Sequence, residues 1–337
     1  MNKLKRGDRT SGKVKTPDQH LRLGIEMKNK SVVVTGGAGF IGSHIAWELA
    51  KDNEVTVIDN LSTGKEENVP PGAKLIRADI RDYESIAGPI KEADYVFHEA
   101  AQVSVVESIR DPVFTEEVNV LGTLNIIRAL LEGHGKLIFA SSAAVYGDNP
   151  NLPLKETERP KPLSPYGVTK ASVEEYLRVY SELYGLPAVA LRYFNVFGPR
   201  QSANQYAGVI SIFINRALAG EPLVIFGDGK QTRDFIYVKD VVRANLLVAE
   251  TRRANGRVFN VATGRQTTIL ELAMKIVEIT GSNSPILFDK PRPGDIRHSL
   301  ADISEIKKLG FEPEWSLEEG LKKTVAWYQE QVGSKGR

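Results

Sequence analysis

At 337 residues the chain exceeds one average domain, which predicts one large α/β unit or two coupled domains. Hydrophobic residues at 42% and charged residues at 26% exclude disordered, collagen-like and fibrous chains, and no apolar run reaches the ~18 residues of a membrane span. The lack of cysteine excludes a disulfide scaffold, a thiolate nucleophile and a thiolate-ligated zinc or iron–sulfur site, so a reducing cytoplasm is expected; a net charge of +2 makes no case for nucleic acid or a membrane surface as partner.

Residues 1–26 carry seven basic residues against three acidic ones and no apolar segment of the secretory kind. They read as a disordered basic tail, or as an extension ahead of a true start at Met27. From there short β-branched runs alternate with helical patterns. Strands are expected at Ser31–Thr35, Glu54–Ile58, Lys74–Arg77, Tyr95–His98, Lys136–Ala140, Ala188–Tyr193 and Val258–Val261. Helices are expected at Phe40–Lys51, Thr115–Leu131, Ser164–Tyr184 and Lys239–Glu250. Strands that alternate with helices imply βαβ units, hence an α/β fold with a doubly wound parallel sheet buried on both faces. Gly and Pro break the pattern in Val196–Gly208 and Asp289–Gly294. The chain therefore reads as a Rossmann-like domain over 27–195 plus 236–262, with a smaller mixed lobe over 196–235 plus 263–337.

The first strand runs into Gly36-Gly37-Ala38-Gly39-Phe40-Ile41-Gly42 and a helix, a spacing of Gly36-x-x-Gly39-x-x-Gly42. Glycine is needed where a turn takes positive φ, where backbone approaches a pyrophosphate and where helix packs on strand. A helix N-terminus then faces the phosphates. The triplet alone is weak, and its context gives it weight: a strand before, a helix after, and Asp59 closing the second strand. A carboxylate there accepts ribose hydroxyls and repels a 2′-phosphate, and Asn60-Leu61 rather than an arginine follows it, which favours NAD over NADP.

Tyr166 and Lys170, at i and i+4 in the helix after Pro160–Pro165, share one face. A phenol with a pKa of about 10 is a poor base until a nearby ammonium and a cationic nicotinamide favour its phenolate. A surface pair is the plainer reading, yet of eleven tyrosines this one alone has lysine at i+4. Ser141-Ser142 follows the fifth expected strand. Ligands bind beyond the C-terminal strand ends of a parallel sheet, which sets Ser142 to hydrogen-bond a substrate hydroxyl beside Tyr166.

Thr35–Gly42, Asp59, the Ser142/Tyr166/Lys170 set and Tyr193-Phe194-Asn195 resemble the extended short-chain dehydrogenase/reductases, and among them the nucleotide-sugar 4-epimerases. The likeness runs from about Lys30 to about Tyr328 and includes Phe226-Gly227-Asp228-Gly229, Arg233-Asp234-Phe235 and Arg292-Pro293-Gly294-Asp295. It implies a tightly bound NAD held by Gly36, Gly39, Phe40, Ile41, Gly42, Asp59 and Asn60. Asp79 and Ile80 would lie by the adenine, and Ala100, Ala101, Asn119, Ser141, Tyr166, Lys170 and Tyr193 along the rest of the cofactor. The substrate side would comprise Ser104, Ser142, Asn195, Val209, Phe226, Arg233, Arg292, Asp295 and Ser299, with the two arginines on the diphosphate. The resemblance also implies a homodimer through the helices Thr115–Leu131 and Ser164–Tyr184, and a place in galactose metabolism.

Relatives that eliminate or decarboxylate carry an acid beside the catalytic Ser or Thr, where this chain has Ala143 and Ala144. An apolar pair moves no proton. Reversible oxidation at C4 remains: UDP-Glc/UDP-Gal interconversion, and UDP-GlcNAc/UDP-GalNAc because Ser299 is small where glucose/galactose epimerases often have a bulky residue. Val103 departs from the lysine that many of those carry. The alternatives are another sugar-nucleotide enzyme (a UDP-glucuronate epimerase or decarboxylase, or a 4,6-dehydratase) and a non-catalytic NAD-binding protein. Five scattered histidines support no metal site.

Overall fold

The computed structural model describes residues 27–202, 208–291 and 296–335. The expected tail, Arg292 and Asp295 therefore lie outside the described residues. The strands are β1 (Ser31–Thr35), β2 (Glu54–Asp59), β3 (Lys74–Arg77), β4 (Tyr95–His98), β5 (Lys136–Ser142), β6 (Ala188–Tyr193), β7 (Asn195–Phe197), β8 (Leu223–Phe226), β9 (Thr232–Arg233), β10 (Phe235–Tyr237), β11 (Arg257–Val261), β12 (Thr267–Thr268) and β13 (Ile286–Asp289). The helices are α1 (Phe40–Leu49), α2 (Tyr83–Glu92), α3 (Val105–Arg110), α4 (Pro112–Glu116), α5 (Gly122–Leu131), α6 (Pro165–Tyr184), α7 (Val209–Leu218), α8 (Val238–Glu250), α9 (Ile269–Thr280), α10 (Ser304–Lys307) and α11 (Leu317–Lys335).

Seven strands form one parallel sheet in the order β11-β6-β5-β4-β1-β2-β3. The winding reverses between β1 and β4, and in such sheets ligands bind in the crevice beyond the strand ends at that point. Alternation along the strands divides the core. Val32 and Val34 face α1 and α8, packing with Ile45, Leu49, Val241 and Val248. Val33 faces α2, α5 and α6, packing with Ile86, Ile90, Ile126 and Leu177. A third cluster joins α7, α9 and α11 with β8 and β10 through Ile214, Leu223, Ile225, Leu272 and Leu321. Ile41 packs against both this cluster and the α1–α8 face, so the glycine turn lies where the two meet.

Three departures from expectation have local causes. β5 runs two residues further than expected, to Ser142, because Ser141 and Ser142 pair with Arg192 and Tyr193 of β6. The single helix expected over Thr115–Leu131 is α4, a π turn over Glu117–Leu121, then α5. From Asn195 onward the irregular stretch holds short pairs, β7 with β10 and β8 with β13 in parallel and β9 with β12 antiparallel.

Candidate active site

The glycine turn is closed by its own backbone. Gly36 has φ +69°, and a Cβ built on it would stand 2.6 Å from the Ala100 nitrogen. A Cβ on Gly42 would strike the Gly36 carbonyl oxygen. Only glycine fits at either place, so α1 starts with its bare N-terminus against the strand ends. Asp59, buried at the end of β2, takes Ala38 N–H on Oδ2 (3.0 Å) and Leu61 N–H on Oδ1 (2.8 Å). Each carboxylate oxygen keeps a lone pair for a ribose hydroxyl. Gly39 and Phe40 open α1 beside Ile41.

Asn60 donates to Asp79 Oδ2 at 3.1 Å. Arg81 grips Asp79 through Nε (3.0 Å) and Nη2 (2.9 Å), and its guanidinium holds that carboxyl down at about 2. Arg81 also meets Glu117 at 3.2 Å, so this guanidinium is matched by two carboxylates. Ile80 is buried, with its carbonyl accepting from Asn125. Ala100 and Ala101 follow β4 against the glycine turn, and Ala100 N–H meets Thr35 Oγ1 at 3.4 Å. These elements form an anion-ready, hydroxyl-accepting cradle that suits a dinucleotide.

At the tip of β5, Ser142 caps a short turn, its Oγ accepting Ala144 N–H at 3.1 Å, and its hydroxyl acts to lower the pKa of the Tyr166 phenol. Ser164 caps α6 by accepting Gly167 N–H, and Pro165 occupies the first turn. This start places Tyr166 and Lys170 on the helix face toward β5. Lys170 donates to the Ala140 carbonyl at 2.8 Å, with its ammonium 5.8 Å from the Tyr166 ring centroid. Burial pulls Lys170 down to about 8, against the pull of Glu99 and Glu174. Burial pushes the Tyr166 phenol up, the Ser142 hydroxyl opposes that, and Glu99 adds to it. The phenol is thus neutral at rest, and its ionisation awaits added positive charge.

Some expected residues are used differently. The Ser141 side chain donates to Glu174, which is paired with Arg192 at 2.6 Å in a buried network, so its hydroxyl is turned from the cleft. The Tyr193 hydroxyl is bonded to Glu99 and Asn245. In both, strand alternation and inter-strand partners claim the hydroxyl, which leaves the backbone at these strand ends for the cofactor expected there. Ser104 caps α3, accepting Glu107 N–H at 3.2 Å. Asn119 is tied to Gln102 N–H (2.8 Å), the Gln102 carbonyl (3.0 Å) and Thr169 Oγ1 (3.0 Å), which locks the π turn to α6.

On the other lobe Asn195 donates to the Asp234 carbonyl at 3.2 Å. Val209 opens α7, and the Phe226 carbonyl at the end of β8 accepts from Gln231 at 2.7 Å. Arg233 donates to the Thr232 carbonyl (2.8 Å), which also takes Ser299 N–H (3.2 Å), so the buried Ser299 sits against the strand that carries Arg233. Sequence reasoning missed Glu99, Asn245 and Asp234, whose partners are distant in the chain. Among the described residues no group of three His, Asp or Glu side chains could hold a metal ion, and no described helix is long and apolar enough to cross a membrane.

A doubly wound sheet with a glycine-lined cradle and a Ser–Tyr–Lys set at the strand tips defines a short-chain dehydrogenase/reductase-type site. The chain matches the family described as "NAD dependent epimerase/dehydratase family" over residues 32–262, and it belongs to that family. A UDP-N-acetylglucosamine 4-epimerase from Methanobrevibacter ruminantium, solved in complex with UDP-N-acetylmuramic acid, is 49% identical with a TM-score of 0.87, over 90% of this chain and 100% of that one. A UDP-glucose 4-epimerase from Thermotoga maritima, solved with UDP-glucose, is 44% identical with a TM-score of 0.86, over 89% and 99%. A UDP-N-acetyl-alpha-D-glucosaminuronate decarboxylase from Bacillus cytotoxicus is 38% identical over 89% of this chain and 98% of its own length.

Proposed function

We propose that the protein catalyses the NAD-dependent, reversible inversion of C4 in UDP-hexoses, with UDP-Glc/UDP-Gal and UDP-GlcNAc/UDP-GalNAc as substrates. The observation that carries this reading is the Ser142–Tyr166–Lys170 set at the tip of β5 with Ala143 and Ala144 beside it. When bound, NAD would supply the acceptor for the C4 hydride and a positive charge that favours the phenolate. Gly36–Gly42 and Asp59 would hold its pyrophosphate and ribose, and Lys170 its second ribose. Tyr166 takes the proton of the sugar 4-hydroxyl, with Ser142 bridging, and returns it after the 4-keto sugar has turned over. Arg233, joined by Arg292, balances the diphosphate, so affinity for the non-reacting nucleotide keeps the ketone in place. An alanine pair has no proton to give or take, which sets aside elimination and decarboxylation. Ser299, small and buried beside Arg233, leaves volume for an N-acetyl group.

The same reading divides the chain into the NAD-binding and nucleotide-sugar lobes given above and makes it a cytoplasmic homodimer. Exposed apolar side chains on the adjoining α3, α4 and α6 (Val106, Ile109, Val113, Val168, Leu183) support a second copy as partner. The deciding experiment incubates the purified protein with UDP-GlcNAc and, separately, UDP-Glc without added NAD, with products resolved by chromatography and NMR. Conversion to the C4 epimers is expected. The Tyr166→Phe variant should keep NAD and lose at least ~100-fold in kcat, the span of one general base. Unchanged turnover in that variant, or a stable 4-keto-6-deoxy product, would refute the assignment.

A further inference from the structure

Glu99 is a carboxylate that no step above uses. It follows His98 at the end of β4, and its N–H is bonded to the Thr35 carbonyl of β1 at 3.0 Å. Because β5 lies between β4 and β6, a group at the end of β4 reaches one at the end of β6 only across the tip of β5. Glu99 does so. The Tyr193 hydroxyl donates to Glu99 Oε1 at 2.8 Å, and Asn245 on α8 donates to the Tyr193 oxygen at 2.8 Å while also meeting the Val241 carbonyl at 2.9 Å. The strand tip being crossed carries Ser142, and Lys170 is anchored on the Ala140 carbonyl beneath it.

We propose that Glu99 is a positioning residue of the tyrosine–lysine pair: anchored by Tyr193 across the tip of β5, its negative charge holds Lys170 in the ammonium form and opposes the phenolate of Tyr166, and so sets the pH window in which the pair works. This rests on Tyr166 being the base of the proposed reaction.

The surroundings agree. The carboxylate is bonded to the Tyr193 phenol of β6, which is held in turn by the uncharged Asn245 of α8, and the charges that act on it and on which it acts are those of Lys170 and Tyr166 on α6. Its neighbour on β4, His98, is kept neutral by burial, and β1 and β5 present backbone and uncharged side chains. Burial pushes the Glu99 carboxyl up to about 7, with the Tyr193 bond and the Lys170 charge resisting. It therefore changes charge in the neutral range. Once ionised it raises both Lys170 and Tyr166. A like-sign pair disfavours a second anion and an opposite-sign pair favours the cation, so one group acts on both members in the same direction.

The test uses Glu99→Gln, which keeps an acceptor for Tyr193 and removes the charge. With the protein as purified, Tyr166 ionisation is read from near-ultraviolet phenolate absorbance as the difference between each protein and its Tyr166→Phe counterpart. The pH profile of kcat is read in parallel. Glu99→Gln should move the Tyr166 titration and both limbs of the profile to lower pH by ~0.5–1 unit, with the maximal kcat within about threefold of the parent. A Tyr166 titration at the parent pH, or a uniform loss of kcat without displacement of the limbs, would overturn the proposal. Should the Gln variant not fold, Tyr193→Phe removes the anchoring donor, favours the neutral carboxyl and should give a smaller shift in the same direction; no shift there would overturn it equally. A displaced titration in a protein that turns over no UDP-hexose would uphold the role of Glu99 and refute the epimerase reading.

Discussion

Asp234 is fully buried between Arg233 and β10, and accepts from Thr263 N–H (2.9 Å) and Oγ1–H (2.6 Å), Gly264 N–H (2.9 Å) and Ala301 N–H (3.4 Å). Burial pushes its carboxyl up while these donors pull it down. One carboxylate thus ties the strand bearing Arg233 to the segment after β11 and to the segment bearing Ser299. An amide in its place turns a donor toward the Gly264 and Ala301 N–H groups. Asp234→Asn should cost about 2–3 kcal/mol, the range for buried donors left unsatisfied, read as a lower urea midpoint at constant slope. It should raise KM for the UDP-sugar while NAD stays bound; an unchanged midpoint would refute the argument. Residues of this kind were not legible in the sequence, because Asp234 and its acceptor role span 29 to 67 positions. Tyr166 and Lys170 were legible for the opposite reason: four residues on one helix fix their relation before any tertiary contact forms. Ser141 shows the limit of the same logic. Its neighbour Ser142 caps the turn toward Tyr166, while alternation along β5 sends Ser141 to Glu174.

At the scale of elements, the seven strands of the large sheet were readable because each is a largely apolar run that alternates with helical segments, and all but the edge strand β3 are mostly buried. The short pairs from Asn195 onward were not, since they are specified by distant partners such as Phe226 with Asp289. The π turn at Glu117–Leu121 was also hidden, the apolar period continuing through it. Its effect is to turn Asn119 toward Gln102 and Thr169, where an unbroken α-helix would rotate that side chain by a fraction of a turn. Asn119→Leu removes three hydrogen bonds between the π turn, the segment after β4 and α6, leaving Gln102 N–H without its acceptor. The variant should fold with a lower Tm and lose NAD on gel filtration, its affinity falling by about tenfold, as for one buried hydrogen bond left unmade. NAD retained through the column at the parent stoichiometry would show that the π turn serves packing alone.

For the whole molecule, acid sensitivity follows from which buried groups stay neutral. His98 lies between Thr35 Oγ1 (2.7 Å) and Thr123 Oγ1 (2.8 Å). Thr123 already donates to the Asn119 carbonyl, so the ring donates from Nε2 and accepts at Nδ1. His44 donates from Nε2 to the Pro199 carbonyl at 2.9 Å. Burial holds both near 3, well below the ~6.5 of an unfolded histidine. The unfolded chain then binds two protons that the native state refuses, so these groups stabilise the fold above about pH 6.5 and that contribution is lost as pH falls toward 3. Glu99 acts with the opposite sign. Its native value of about 7 lies above the ~4.3 of an unfolded glutamate, so it favours the fold below about pH 4.3, and that contribution is lost as pH rises to 7. Across pH 4.5–6.5 it therefore offsets one of the two histidine protons. Every other titrating group is common to the parent and to Glu99→Gln. With NAD saturating for both, the stability of the variant relative to the parent should rise by about 1.4 kcal/mol per pH unit across this window, the value of one proton. Urea unfolding at pH 5 and pH 6.5 measures it, and parallel pH dependences in the two proteins would mean that Glu99 is already ionised throughout, with its charge satisfied by Lys170 rather than suppressed by burial.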